Sequence, residues 1–119
     1  MDEARQLRLL IVEDEGLLVM SLSDMLEELG HQTAYVAADV ASALRLILDH
    51  AKNLDACILD ANLGGTSAAP VAAALREAQI PFIVVSGYGT QDLSRAGLTE
   101  PAIAKPYHRR ELAAALQRL

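Results

Sequence analysis

Residues 7–15 read Leu7-Arg8-Leu9-Leu10-Ile11-Val12-Glu13-Asp14-Glu15, a short apolar run that stops on three acids. Leu7–Val12 is the length of a β-strand and too short for a core helix. Beyond it Leu18, Leu22, Leu26 and Leu29 recur at helical spacing, and Gly30 closes that helix. Gln32–Ala37 reads as a second strand. Asp39 is placed to cap a second helix with Val40, Leu44, Ile47, Leu48 and Ala51 on one face. Asp55–Asp60 is a third strand, and Gly64-Gly65 marks a loop. A third helix starts near Pro70 and carries Val71, Leu75 and Ala78. Pro81 precedes a fourth strand, Phe82–Ser86, and Ala102–Ala104 is a brief fifth. Between them Gly87–Pro101 holds three glycines and few apolar residues, so a fourth helix there is short or irregular. Leu112, Ala115, Leu116 and Leu119 belong to a final helix. Strands alternating with helices predict an α/β domain, and right-handed crossovers make it a doubly wound, five-stranded parallel sheet.

The rest of the composition agrees with one small domain spanning 1–119, with no output domain. A chain of 119 residues with 52% apolar content can form a continuous core. No apolar run approaches the roughly 20 residues that span a bilayer. The N-terminal Met1–Arg8 is polar and is not a secretory signal. A net charge of −6 disfavours nucleic acid phosphates as a partner. The single cysteine, Cys57, lies in an apolar run and reads as a buried core thiol, and the expected compartment is the cytoplasm.

In a sheet of this kind the functional site forms beyond the carboxyl ends of the strands. There the polar residues fall: Glu13 and Asp14 after the first strand, Asp60 at the end of the third, Ser86 at the end of the fourth, Lys105 after the fifth. Each alone has an ordinary explanation, Asp14 as a helix cap, Asp60 and Ser86-Gly87 as turn residues, Lys105 as a solvated lysine. Together they define a chemistry. Three carboxylates at one edge repel one another unless a cation intervenes, and a hard divalent ion such as Mg²⁺ suits oxygen ligands. With charge so offset, Asp60 becomes usable as a nucleophile toward phosphorus. Lys105 and Ser86 then supply a point charge and a hydroxyl donor to phosphoryl oxygens.

On Leu10-Ile11-Val12-Glu13-Asp14-Glu15, Asp60 with its strand, Ser86-Gly87 and Lys105-Pro106, the chain resembles the receiver domains of two-component signalling over essentially its whole length. The resemblance implies a CheY-like, flavodoxin-like (βα)5 fold. It implies Asp60 as phosphoacceptor, Glu13 and Asp14 as metal carboxylates, and Asn62 as donor of a backbone carbonyl to Mg²⁺. It further implies Ser86 as switch hydroxyl, Lys105 as the phosphate-contacting lysine, and a histidine kinase or histidine phosphotransfer protein as partner. Such a domain is not an enzyme beyond assisting its own phosphorylation and dephosphorylation.

A narrower resemblance rests on Pro81-Phe82-Ile83-Val84-Val85-Ser86-Gly87-Tyr88-Gly89, on Lys105-Pro106-Tyr107 and on Asn62-Leu63-Gly64-Gly65. These look like the FAT GUY subgroup, found in proteobacteria and often as single-domain regulators of general stress signalling. Val85-Ser86 stands where that subgroup has Ala-Thr, and Tyr107 where it has Phe. Three residues before the lysine, where most receivers carry a switch aromatic, this chain has Ala102. Tyr88 and Tyr107 are the candidates to replace it. His31, His50 and His108 lack metal-ligand spacing and read as surface or cap residues. Arg109, Arg110 and Arg118 form either a solvated face or a docking patch for an acidic partner. The function expected is a phosphorylation switch acting on a partner protein, or a phosphate sink that drains a kinase. The alternatives are the receiver of a hybrid kinase and a nucleotide-binding flavodoxin-like domain. Against the latter, Glu13-Asp14-Glu15 stands where a phosphate-cradling glycine loop would follow the first strand.

Overall fold

The computed structural model describes residues 6–87, 98 and 100–119. In chain order these form β1 (Arg8–Val12), α1 (Gly16–Glu28), β2 (Gln32–Ala37), α2 (Val40–His50), one 3₁₀ turn (Ala51–Asn53) and β3 (Ala56–Asp60). A hairpin of β4 (Asn62–Leu63) and β5 (Thr66–Ser67) follows, then α3 (Ala69–Glu77), β6 (Phe82–Ser86), β7 (Ala102–Ala104) and α4 (Arg109–Gln117). The main sheet has the order β2-β1-β3-β6-β7, and every pairing in it is parallel. This is the doubly wound, flavodoxin-like arrangement expected. The expected fourth helix falls on residues outside those described.

The apolar runs are continuous because both faces of the sheet are covered. Leu10, Val12, Cys57, Leu59, Phe82 and Val84 face one layer, packed with Ala43 and Ile47 of α2 and Val71 and Leu75 of α3. Leu9, Ile11, Ala56, Ile58, Ile83 and Val85 face the other, against Leu22 and Leu26 of α1 and Leu112, Ala115 and Leu116 of α4. Cys57 is buried, and burial pushes its thiol pKa up, so it stays a protonated packing group. None of the described helices is long and apolar enough to cross a membrane.

Helix ends follow local chemistry. Asp39 accepts the Ser42 N–H at 2.7 Å and caps α2 as its position predicts. Gly30, at φ +89°, ends α1: the His31 N–H donates to the Leu26 carbonyl and the Gly30 N–H to that of Glu27. The end of α3 repeats this pattern with Gln79 at φ +60° in the glycine position.

Two readings need correction. Leu48 is 83% exposed, because the buried stripe of α2 is narrow and Ala43 and Ile47 fill it. Leu119 lies past the end of α4 and is exposed. The expected loop at Gly64-Gly65 is present and is the turn of a hairpin: both glycines have positive φ, as a two-residue type I′ turn demands, and they join β4 to β5.

His31 has a structural role instead of a surface one: its Nδ1 accepts the Leu7 N–H at 3.1 Å, which needs an unprotonated nitrogen. Burial lowers its pKa below the ordinary 6.5. A base with a depressed folded pKa supports stability above its unfolded pKa and loses it as pH falls through the folded value. Acidification below pH 6.5 should therefore destabilise the protein through this group, and an NMR titration should place the His31 pKa below 6.5. A titration at or above that value would contradict the bond. Replacing Gln79 by glycine should raise stability by about 0.5–1 kcal/mol in denaturant melts, because an L side chain is strained at positive φ.

Candidate functional site

Among the described residues three polar side chains are buried: Glu13, Asp60 and Ser86. All three sit at the carboxyl edge of the sheet. Burying a carboxylate is costly unless it is hydrogen-bonded and paired. Here the partners are visible. The Glu13 N–H donates to the Ala37 carbonyl at 3.0 Å, extending the β1–β2 ladder by one residue and aiming the side chain inward. Glu13 Oε2 accepts the Glu15 N–H at 3.1 Å, and Oε1 lies 3.2 Å from Lys105 Nζ. Asp60 Oδ1 accepts the Asn62 N–H at 3.0 Å, and Oδ2 accepts from Lys105 Nζ at 3.0 Å.

Lys105 is delivered by the β6–β7 pairing, since its N–H donates to the Ser86 carbonyl at 2.9 Å. The Lys105–Pro106 peptide is cis. Asp14 is exposed and is not the cap of α1; that position belongs to Glu15, whose side chain makes no capping bond. Carboxylate oxygens of Glu13, Asp14 and Asp60 all lie within 4.8 Å of one another. An open cleft of about 400 Å³ is bordered by Asp14, Asp60, Asn62, Gly87 and Lys105.

Sequence reasoning missed the part played by the hairpin. Asn62 Oδ1 accepts the Gly65 N–H at 2.7 Å, which pins the turn. A Cβ on Gly64 would stand 3.4 Å from Asp14 Oδ2, so the turn backs directly onto that carboxylate. The signal was present as two glycines between Asn62-Leu63 and Thr66-Ser67, a two-residue hairpin pattern.

The electrostatics reflect crowding. The Glu13 pKa is pushed up to about 6, first by burial and also by the charge of Asp60, against the opposing bonds from Glu15 and Lys105. Burial alone would lower the Lys105 pKa, but its bonds and charge contacts with Asp60 and Glu13 outweigh that, and the net shift is upward. Tyr107 is packed against the α1–α4 layer, and its phenol pKa is raised by burial and then by the negative charge of Glu13. Tyr107 is therefore electrostatically coupled to the acids. Tyr88 lies outside the described residues.

The histidines are dispersed. His31 is bonded to Leu7, His50 stacks on Tyr35 at 4.3 Å, and the His108 N–H is received by Glu111 at the start of α4. Of Arg109, Arg110 and Arg118, the first pairs with Glu28 of α1 at 2.7 Å, whereas the last lies at the other end of α4.

The donor set fits a hard divalent cation. It is all oxygen, it includes an exposed carboxylate, and the open cleft leaves room for water ligands. Nitrogen and sulfur ligands of a zinc site are not part of this cluster.

The chain belongs to the response regulator receiver domain family, whose model matches residues 9–117. Among solved structures it is similar to SdrG from Sphingomonas melonis Fr1, with 36% identity and a TM-score of 0.82 over 97% of each chain. It also resembles the receiver domain of the sensor histidine kinase PA1611 from Pseudomonas aeruginosa PAO1, which holds magnesium in its active-site cleft. That match has 25% identity and a TM-score of 0.77, over 96% of this chain and 97% of that one. A third likeness is to the response regulator PhyR from Brucella abortus, at 27% identity and TM-score 0.80, covering 96% of this chain but 47% of that one. No curated protein matches the chain.

If the acids form a cation site, Mg²⁺ should raise the melting temperature of this protein, and Asp14→Ala should abolish that rise. The same substitution should stabilise the metal-free protein by roughly 0.5–2 kcal/mol, as expected where a site stores unfavourable charge. Thermal melts with Mg²⁺ and with a chelator read both effects. An undiminished Mg²⁺ response in Asp14→Ala would exclude Asp14 from the site.

Proposed function

We propose that the chain is the phosphoacceptor of a two-component phosphorelay, taking a phosphoryl group onto Asp60 from a histidine kinase or histidine phosphotransfer protein. The observation that carries this reading is the position of Asp60. It is a buried carboxylate with Lys105 on one oxygen and two further acids within 4.8 Å, under an open cleft. In the transfer an Asp60 oxygen attacks phosphorus, and the P–N bond to the donor imidazole breaks. The imidazole nitrogen keeps the electron pair and takes up a proton. Glu13, Asp14, Asp60 and the Asn62 backbone carbonyl are the residues that would hold Mg²⁺, which when bound offsets charge on the phosphoryl oxygens. The Asn62 N–H orients the acceptor through Oδ1. Lys105 neutralises the incoming group from the β7 side, and Ser86 presents a hydroxyl from the end of β6.

We place the chain in the FAT GUY subgroup on the Pro81–Gly89 stretch and Lys105-Pro106-Tyr107. A change at Asp60 is then read through Ser86 and the Tyr88 and Tyr107 positions, since Ala102 supplies no aromatic ring. The match to SdrG over 97% of both chains supports the receiver reading along this length. The match to the PA1611 receiver supports the second reading, a receiver within a hybrid kinase.

With acetyl phosphate and Mg²⁺ the protein should gain one phosphoryl group by mass spectrometry, and hydroxylamine should remove it, as it does an acyl phosphate. Asp60→Asn should remain folded by circular dichroism and gain none, because an amide is not a nucleophile here. Phosphorylation of that variant would overturn the assignment.

A further inference from the structure

We propose that the face formed by α2 and α3 is a self-association surface, on which two copies of this chain pair with the exposed Leu48 of each seated on the other. The two helices pack side by side, and an open groove of about 400 Å³ runs between their C-terminal halves. Leu44, Ile47 and Ala51 line it from α2 and the turn that follows, Ala74 and Ala78 from α3 and its C-terminal end. Leu48 stands on the rim, 83% exposed. A lone exposed leucine is ordinary. This one adjoins an apolar groove, and the apolar surface continues beyond it. Ala41, seven residues before Leu48, and Pro70, four before Ala74, are exposed as well and prolong the same helix faces. The strands run toward the acid cluster and the helices run back, so these halves of α2 and α3 lie toward the amino edge of the sheet, away from Glu13 and Asp60. The surface is separate from the site described above, and the proposal does not rest on the phosphorelay reading.

A second copy is the occupant because the face complements itself. A two-fold axis running along the groove turns α2 of one copy over α3 of the other, an isologous contact of the kind most dimers use. Leu48 then comes over the level of Ala74 and Ala78, whose single methyl groups leave the space a leucine fills. The charges fit the same arrangement. Glu77 is the one charged residue lining the groove, and it belongs to α3. Helical spacing puts Leu44 and Ala51 on one side of Leu48 and Arg45 and Lys52 on the other, so this exposed basic pair forms the outer rim of α2, with Asp49 further round the helix. The rotation therefore sets Arg45 and Lys52 of each copy against Glu77 of the other, and opposite charges meet at both rims of the contact.

The test is analytical ultracentrifugation of the protein over a concentration series. The parent should show a dimer whose share rises with concentration, as expected of a small contact face. Leu48→Glu should remain folded by circular dichroism and weaken the dimer at least about tenfold, since it would bury an unpaired charge. Leu17→Glu, which changes an equally exposed leucine (82%) on α1, should leave the dimer unchanged. Glu77→Lys should weaken it, and adding Arg45→Glu and Lys52→Glu to that variant should restore it. In the parent, the amide signals of Leu48, Ala74 and Ala78 should move with concentration in NMR spectra, a readout that needs no variant to fold. A parent that stays monomeric to about 1 mM overturns the proposal and leaves the groove to a different partner. A dimer that Leu48→Glu leaves intact, or that Leu17→Glu weakens as much, has its contact elsewhere and overturns it too. A charge reversal that fails to restore the dimer overturns the two-fold arrangement.

Discussion

Two carboxylates are held against the edge of an apolar sheet with one ammonium between them, and the rest of the site is arranged around that contact. Strands β1 and β3 are neighbours at the centre of the sheet, so Glu13 and Asp60 arrive side by side by topology alone. Removing two like charges from water and placing them together is unfavourable. The upward shift of Glu13 records that cost. Lys105 offsets part of it, and the N–H groups of Glu15 and Asn62 supply the remaining bonds. A protein selected for stability alone would place aliphatic side chains here, as it does along the rest of both strands.

Much of this was legible in the sequence because two rules act together. Runs such as Leu9–Val12 and Phe82–Val85 are apolar at every position, which is what a parallel strand covered on both faces requires. Once the strands are known, the carboxyl-end rule points to Glu13, Asp14, Asp60, Ser86 and Lys105 without any coordinates. The parts that were not legible depend on packing. Leu48 belongs to the helical pattern of α2, yet how wide a stripe the sheet covers is a tertiary fact. His31 looks like any polar residue after a helix end, and its bond to Leu7 exists only because β1 starts beside it. The contact between Lys105 and Glu13 joins residues 92 positions apart, and nothing local in the sequence encodes it.

The hairpin shows the same division. Gly64 and Gly65 announce a tight turn, but that the turn backs onto Asp14 follows from where β3 ends. Asn62 links the two levels. Its N–H faces the Asp60 carboxylate and its side chain faces the turn, so the loop that shapes the cleft and the buried acid are held by one residue.

The groups of the site also differ in how firmly they are mounted. Glu13 and Asp60 are carried by β1 and β3, strands that are paired on both sides and almost wholly buried. Lys105 follows β7, an edge strand of three residues whose alanines are exposed. A ladder of that length holds through few bonds and little apolar burial, the features that make a segment soft. The negative charges are therefore fixed, and the positive one sits on the least constrained strand and at the end of a flexible stem. The backbone of Lys105 is bonded to the Ser86 carbonyl, and Tyr107, two residues on, packs its ring into the α1–α4 layer. The asymmetry in mounting thus runs across the sheet, from firmly held acids at its centre to a cation on its softest edge.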